Sequence, residues 1–278
     1  LLTRLSAASI EHCVTHDIAT LKARLADSSL PTDRLAIVAA GGDGTIALIA
    51  QNISHQIPIV PMPMGTENLL ARYWGYTCSA DAVADTIIRG ERFVMDAGLA
   101  NGKLFLVMVT AGMDAEVVRG MHLTRRGHIS RWSYTRPILR SISRYLYPTI
   151  TSAETLATDE ESSVSACWMM AFNLPRYAGG LGIEPDAVSD DGLLDRIALK
   201  KGFFWSGLNY LARIKLGWHL RHPDVSRQRI RRARWTAPTR VPYQIDGDYA
   251  GRLPVEIEVL PGRVTLLRPA TFSLPASG

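Results

Sequence analysis

An apolar run, Leu35-Ala36-Ile37-Val38-Ala39-Ala40, passes without a linker into Gly41-Gly42-Asp43-Gly44-Thr45 and then into Ile46-Ala47-Leu48-Ile49-Ala50. The order reads as strand, glycine turn, helix, which calls for an α/β layer around a parallel sheet. Three glycines in four positions permit φ > 0 and let a bulky anion approach the backbone where any Cβ would obstruct it. The amides of Gly44, Thr45 and Ile46 would then stand at a helix N-terminus, where unpaired N–H groups and the helix dipole favour phosphate. Asp43 would repel that phosphate unless a metal ion, a ribose hydroxyl or a backbone donor takes up its charge. It therefore points to metal-linked nucleotide chemistry, or else it is the N-cap of a tight turn.

The architecture repeats once. Ile57-Pro58-Ile59-Val60-Pro61-Met62-Pro63 is a short apolar strand, and Met64-Gly65-Thr66-Glu67-Asn68-Leu69-Leu70-Ala71-Arg72 is another turn feeding a helix. In an open parallel sheet such turns share one edge, so Asp43, Thr45, Thr66 and Asn68 are expected to converge on one ligand.

Gly-Gly-Asp-Gly-Thr followed by Pro-x-Gly-Thr-x-Asn-x-x-Ala-Arg resembles the diacylglycerol kinase catalytic domain, shared by bacterial lipid kinases, sphingosine kinases and ceramide kinases. Glu67 varies that pattern without removing its polar positions. The resemblance continues through Asn173 to Asp195, where Gly179-Gly180, Pro185-Asp186-Ala187 and Asp191-Gly192-Leu193-Leu194-Asp195 are similar to the family's run. It reaches Asp246-Gly247-Asp248, where the family has Asp-Gly-Glu, and the closing strand pair from Leu260 to Pro269. The resemblance implies a two-domain protein: an N-terminal three-layer α/β domain of NAD kinase-like fold with a parallel sheet, and a C-terminal β-sandwich. It also implies an ATP- and magnesium-dependent lipid kinase.

On that reading Gly41, Gly42, Asp43, Gly44, Thr45, Ile46, Ala47, Gly65, Thr66 and Asn68 bind the nucleotide. Asp191 with the main chain of Val188 and Leu193 holds magnesium. Asp43, Asp246 and Asp248 are the catalytic carboxylates, with Asp248 in the place of the family's glutamate as the base for the acceptor hydroxyl. Each assignment has a plain alternative: Ser189-Asp190-Asp191-Gly192 also reads as a β-turn, and Ile245-Asp246-Gly247-Asp248 as a hairpin turn between Tyr243 and Leu253. A soluble acceptor, as in NAD kinase, and a non-catalytic nucleotide- or membrane-binding module remain the competing readings.

The sequence of 278 residues, 47% hydrophobic and 21% charged, is that of a globular chain with a sizeable core. A formal net charge of +5 favours anionic partners. Three dispersed cysteines, Cys13, Cys78 and Cys167, suit a reducing compartment, and a cytoplasmic protein with peripheral membrane association is expected. The N-terminus has no signal-peptide zones and no initiator methionine. It also lacks the family's Asn-Pro-x-Ser-Gly loop before Gly41, so its start reads as truncated or divergent. The apolar stretch from Leu104 to Met113 is half the length of a membrane span and reads as one buried strand.

Residues 1–92 alternate helix and strand, with helices expected at 17–27, 46–52 and 81–89 and a strand at 35–40; the tail 260–278 is expected to join this domain. Residues 93–259 are β-rich, with strands expected at 93–97, 104–110, 164–172, 194–199, 239–245 and 255–259. A helical insertion at 131–145 and an acidic loop or hairpin tip at 151–163 interrupt them. Two basic clusters carry aromatics: Arg125 to Arg144 with Trp132, Tyr134, Tyr145 and Tyr147, and Arg213 to Arg234 with Trp205, Tyr210, Trp218 and Trp235. Either cluster is a membrane-facing surface or a solvated helix face with its aromatics in the core. No nucleic-acid motif accompanies the arginines, the seven histidines show no ligand pairing, and no Gly-x-Ser-x-Gly elbow is present. The identity of the acceptor lipid is not written in the sequence, and a homodimer is suggested only by the family.

Overall fold

The structure, a computed structural model, describes residues 1–27, 34–124, 145–177, 182–269 and 272. The chain divides into two compact units, Leu1–Asp96 with Pro261–Gly278, and Ala97–Leu260. Most of the helical insertion and the Gly179-Gly180 pair lie outside the described residues.

In the first unit, α1 (Leu2–Ala7) and α2 (Ile18–Leu25) precede β1 (Ile37–Gly41), α3 (Asp43–Asn52), β2 (Ile59–Pro63), α4 (Leu69–Tyr73), α5 (Ala80–Arg89) and the start of β3 (Glu91–Ala100). The caps explain the helix starts: Asp17 accepts from Thr20 N at 2.8 Å, and Ser79 Oγ accepts from Ala82 N at 3.4 Å. Strand β1 runs parallel to β2, with Ile37 opposite Ile59 and Gly41 opposite Pro63, and Leu266 at the end of the chain's last strand, β13 (Val255–Arg268), also pairs with Ile59 in parallel. Helix α3 packs on β1 and α5 on β2, and Ile46, Ile49, Ile59, Val60, Val83 and Ala84 are all buried in this unit. Tyr76 donates its hydroxyl to Leu267 O at 2.7 Å, fastening the returning tail.

The second unit is antiparallel. It comprises the end of β3, β4 (Lys103–Phe105), β5 (Met108–Ala111), α6 (Met113–Thr124), β6 (Ile150–Leu156), β7 (Glu161–Ala166), β8 (Trp168–Phe172), β9 (Leu194–Leu199), α7 (Phe204–Lys215), β10 (Val225–Thr236), β11 (Pro242–Ile245), β12 (Asp248–Arg252) and the start of β13. One layer runs β12, β11, β5, β8, β9 and the first half of β10; the other pairs β7 with β6, β6 with the second half of β10, and β10 with β13. Strand β10 serves both layers because its register shifts between Ile230 and Arg232, a bulge that turns the strand. Phe105, Val109, Met169, Leu194, Ile230, Trp235, Tyr243, Val255 and Ile257 fill the space between the layers. One ion pair is buried with them: Arg196 on β9 donates to both carboxylate oxygens of Glu154 on β6, at 2.9 and 3.0 Å, and Ser152 supplies Glu154 with a further hydrogen bond at 2.7 Å. Breaking such a pair from one side leaves a buried charge, so the two residues belong together.

Several elements differ from the sequence expectation. Helix α3 begins at Asp43, three residues before Ile46, because Gly42 caps it. The stretch from Leu104 to Met113 is not one strand but two, β4 and β5, parted at Leu106 and Val107, and a helix begins at Met113. The run 164–172 is likewise cut at Cys167 into β7 and β8, and the acidic stretch 151–163 is largely strand, with only a tight turn between β6 and β7.

Candidate functional site

The glycine turn and the Gly-Thr-x-Asn turn lock into one another. Met64 N donates to Gly41 O at 2.9 Å where the two strands end. A Cβ at Gly41 would lie 2.3 Å from Thr45 Oγ1, and one at Gly65 would lie 2.8 Å from the Gly42 Cα. At Gly65 the requirement is backbone crossing backbone, and at Gly41 the Thr45 side chain fills the space that a Cβ would take. None of Gly41, Gly42 and Gly44 has a positive φ, which corrects the sequence reading: Gly42 is extended at φ −95° and ψ −173°.

Asp43 is buried, and its carboxylate reaches across to the second turn, accepting from Leu69 N at 2.7 Å and Leu70 N at 3.1 Å. It therefore takes up the first two amides of α4, an N-cap supplied from another helix rather than the cap of its own. Burial pushes its carboxyl upward and the Leu69 and Leu70 amides oppose that. Asn68, in the left-handed region at φ 49°, turns its side chain back on the loop: Oδ1 accepts from Gly65 N at 3.0 Å and Nδ2 donates to Gly65 O at 2.7 Å. Its carboxamide holds the turn closed instead of facing a ligand.

The anion-binding groups are correspondingly fewer than the sequence suggests. The Thr45 and Ile46 amides donate to Gly42 O at 3.0 and 3.2 Å, and the Ile46 and Ala47 side chains are buried in the core. The Asp43 and Gly44 amides have no acceptor among the described residues, and Gly44 and Thr66 are exposed. These two amides, with the hydroxyls of half-buried Thr45 and exposed Thr66, are what the first unit offers to a phosphate.

In the second unit Asp246 and Asp248 flank the β11–β12 turn, with Asp246 at φ 49° and Gly247 at φ 90°. Asp246 is fully engaged: Leu106 N donates to it at 2.8 Å, and Val107 N and Met108 N each at 2.9 Å. It fixes the bend between β4 and β5, a structural duty where the sequence reading gave it a catalytic one. Gln244, which the sequence did not single out, accepts from Gly247 N at 2.7 Å and donates to Thr110 Oγ1 at 2.9 Å. Thr110 in turn donates to buried Asp114, as does Tyr177 at 3.0 Å. Burial pushes the Asp114 carboxyl upward against these bonds. Asp248 itself is exposed, and its side chain has no partner among the described residues. The turn is braced on one side and presents a free carboxylate on the other.

At the third motif, Asp191 Oδ1 accepts from Leu193 N at 3.0 Å, so the β-turn reading holds here, with Gly192 at φ 74°. Its other oxygen lies 3.6 Å from Arg229, which also lies 3.6 Å from Asp195. Asp195 Oδ2 is buried without a donor, and burial, reinforced by Glu184, pushes its carboxyl up to about 6. Among the described residues no group of three or more His, Cys, Asp or Glu could hold a metal ion. What the segment does offer is a pair of carboxylates, Asp191 and Asp195, that share Arg229, and carboxylate oxygen is the donor type that suits a hard, largely hydrated cation.

The raised Asp195 has a consequence for stability. Between its ordinary 3.8 and about 6, the folded chain holds a proton that the unfolded chain has released, so stability falls as pH rises through that window and the loss is complete above it. Asp195→Asn should therefore raise stability above pH 6, by up to about 3 kcal/mol, and have little effect near pH 4. Urea unfolding of both proteins at the two pH values measures it; an equal effect at both would show that Asp195 does not titrate in this range.

A cleft of ≈ 600 Å³ in the second unit is lined by Asn101, Arg232, Arg234, Glu256 and Glu258, among others. Its arginines already face Glu258 at 3.7 Å and Glu256 at 3.9 Å, and none of the motif residues lines it.

An α/β unit with paired glycine turns, joined in one chain to a β-sandwich, is the architecture of the NAD kinase-like fold. An NAD kinase from Archaeoglobus fulgidus in complex with ATP aligns with TM-score 0.50 at 14% identity, over 96% of this chain and 88% of its own. A diacylglycerol kinase structure from Bacillus anthracis str. Sterne aligns with TM-score 0.67 at 22% identity, over 97% of this chain and 92% of its own. Residues 5–100 match the diacylglycerol kinase catalytic domain model, and residues 107–268 match the YegS C-terminal NAD kinase beta sandwich-like domain. The diacylglycerol kinase of Mycobacterium tuberculosis strain H37Rv is 31% identical over 242 residues, 84% of this chain and 77% of that protein. The chain belongs to the diacylglycerol kinase family.

Proposed function

We propose that this kinase transfers the γ-phosphoryl group of ATP, with magnesium, to the hydroxyl of a lipid alcohol such as diacylglycerol or a sphingoid base. The observation that carries the reading is Asp248: an exposed carboxylate, without a partner among the described residues, on a turn that Asp246 and Gln244 hold rigid. The names of the family relatives favour a lipid acceptor.

The Asp43 and Gly44 amides and the Thr45 and Thr66 hydroxyls bind the phosphates, and Asp43 keeps the two turns in register for them. Asp191, with the Val188 and Leu193 carbonyls, would hold magnesium, which when bound neutralises phosphate charge. As the acceptor oxygen forms its bond to the γ-phosphorus and the bond to the ADP oxygen breaks, Asp248 takes the acceptor's hydroxyl proton. The setting is a cytoplasmic protein working at a membrane surface. Charge adds weight, since +5 on the chain complements both a triphosphate and an anionic lipid layer.

Labelled ATP with magnesium, offered to mixed micelles of diacylglycerol, sphingoid base and ceramide with NAD as soluble competitor, tests the assignment. Label on a lipid is expected. Label on NAD moves the acceptor to the soluble class, and no transfer returns the chain to a nucleotide-binding module. The metal has its own readout: magnesium should raise the melting temperature at pH 8 more than at pH 5, because a nearby cation favours the Asp195 carboxylate, and Asp191→Asn should remove that difference.

A further inference from the structure

Helix α7 carries a surface that the transfer chemistry does not use. Counting from Trp205, the residues Asn209, Ala212 and Leu216 follow at intervals of four, three and four, one stripe of an α-helix, and all four are exposed. Tyr210 and Ile214 face the other way and are buried. Phe203 just before the helix is 60% exposed, Trp205 66%, Leu216 58%, and Trp218 just after it 57%. Trp205 and Leu216 stand on the stripe, and Phe203 and Trp218 at the two ends of the helix; large exposed apolar side chains concentrated in one short segment are what marks an interaction site.

Along this segment the charge has one sign. From Lys200 to Arg221 the chain has five basic residues, Lys200, Lys201, Arg213, Lys215 and Arg221, and no acidic one. Arg213 and Lys215 stand about 80° to either side of the Trp205–Leu216 stripe at the helical 100° per residue, so the apolar line has a cation on each shoulder. Of the five, Lys201 has an ion pair, with Asp224 at 3.0 Å, while the Arg213 guanidinium donates to Asn209 Oδ1 at 3.1 Å, along the stripe itself. Of the aromatics grouped with this cluster by sequence, Tyr210 and Trp235 are core residues, and Trp205 and Trp218 are the exposed pair.

We infer that the Phe203–Trp218 face is the docking surface for an anionic phospholipid bilayer, with α7 lying in the plane of the headgroups. The aromatic rings settle at the polar-apolar boundary, Ala212 and Leu216 enter the outer acyl region, and Arg213 and Lys215 reach the lipid phosphates. No helix among the described residues is long and apolar enough to cross a membrane. A second copy of the chain is the poorer occupant, because a twofold interface would set this basic rim against itself. The inference deepens the lipid-kinase reading and rests on it for the reason the chain meets a bilayer.

Co-sedimentation of the full chain with vesicles of phosphatidylcholine, with and without phosphatidylglycerol, tests it beside transfer to micellar lipid. Binding to the anionic vesicles is expected, with a loss of about tenfold or more in the double variant Trp205→Ala, Leu216→Ala and a comparable loss in Arg213→Glu, Lys215→Glu. Turnover on micellar lipid and the melting temperature should stay at the parent's values. Equal vesicle binding by parent and variants overturns the surface, as does a dimer seen by analytical ultracentrifugation that the apolar variants dissolve. Normal transfer without this loss of binding sinks the docking surface alone, whereas docking that depends on these residues, in a chain that phosphorylates no lipid, sinks the kinase reading alone.

Discussion

Asp248→Asn is expected to lower kcat by about 10²–10⁴-fold, the usual contribution of a positioned general base, and to leave stability within about 0.5 kcal/mol of the parent. The two expectations separate because the turn does not depend on this side chain. Its geometry is fixed by Asp246, which accepts three amides from Leu106, Val107 and Met108, and by Gln244, which accepts from Gly247 N. Asp248 opens β12 opposite Ile245 and is exposed, so an amide of the same shape costs the fold nothing but a solvated charge. Asp248→Glu restores the carboxylate and lengthens it by one methylene, toward the glutamate that the family has here, and should preserve or raise turnover. An ångström in the position of a reacting group is worth about 10²-fold, so the direction of that change reports on reach. Steady-state kinetics and thermal melts of the three proteins decide the matter, and equal losses for Asn and Glu would reduce Asp248 to a turn residue.

The legibility of the fold was uneven, for reasons that can be named. The first glycine turn was readable because it demands a strand before it and a helix after it, and Leu194–Leu199 because a short run with apolar residues at Leu194, Ile197, Ala198 and Leu199, following a turn signal, has the length of a buried strand. Strand β10 was not readable. Its five arginines look like a charge run, and the bulge after Ile230 breaks the two-residue alternation that would have revealed Ile230, Ala233 and Trp235 as one inward row. The β6–β7 hairpin was hidden by its acids, one of which, Glu154, is buried against Arg196, forty-two residues away. Within the candidate site the same limit applies. Composition shows that Asp43, Asn68 and Asp246 are polar residues in turns; it does not show that their side chains are spent on backbone amides, in two cases across 26 and 140 residues of sequence. Gln244 and Asp114 gave no signal at all, since a buried network of Thr110, Tyr177 and Gln244 has no fixed spacing along the chain.

Asp43→Ala is expected to abolish transfer and also to lower stability by about 2–6 kcal/mol, because it strands two buried amides, Leu69 N and Leu70 N, at about 1–3 kcal/mol each. The sequence alone suggests that the substitution spares the fold; the buried position of the carboxylate argues otherwise. Loss of turnover in this variant is thus ambiguous by itself, and two companions resolve it. Asp43→Asn keeps one acceptor oxygen but turns an NH2 toward the second amide, so it should recover part of the stability. Thr66→Ala removes an exposed hydroxyl that has no structural partner among the described residues, so it should weaken ATP binding with stability unchanged. If the effect of Asp43 on transfer runs through the register of the two turns, activity should track stability across Asp43→Ala and Asp43→Asn. If the carboxylate also acts on the nucleotide, Asp43→Asn should be as inactive as Asp43→Ala while remaining better folded. Chemical unfolding and single-turnover transfer on the same preparations separate these outcomes. A parent-like unfolding midpoint for Asp43→Ala would refute the bridge between the turns, on which the proposed nucleotide site rests.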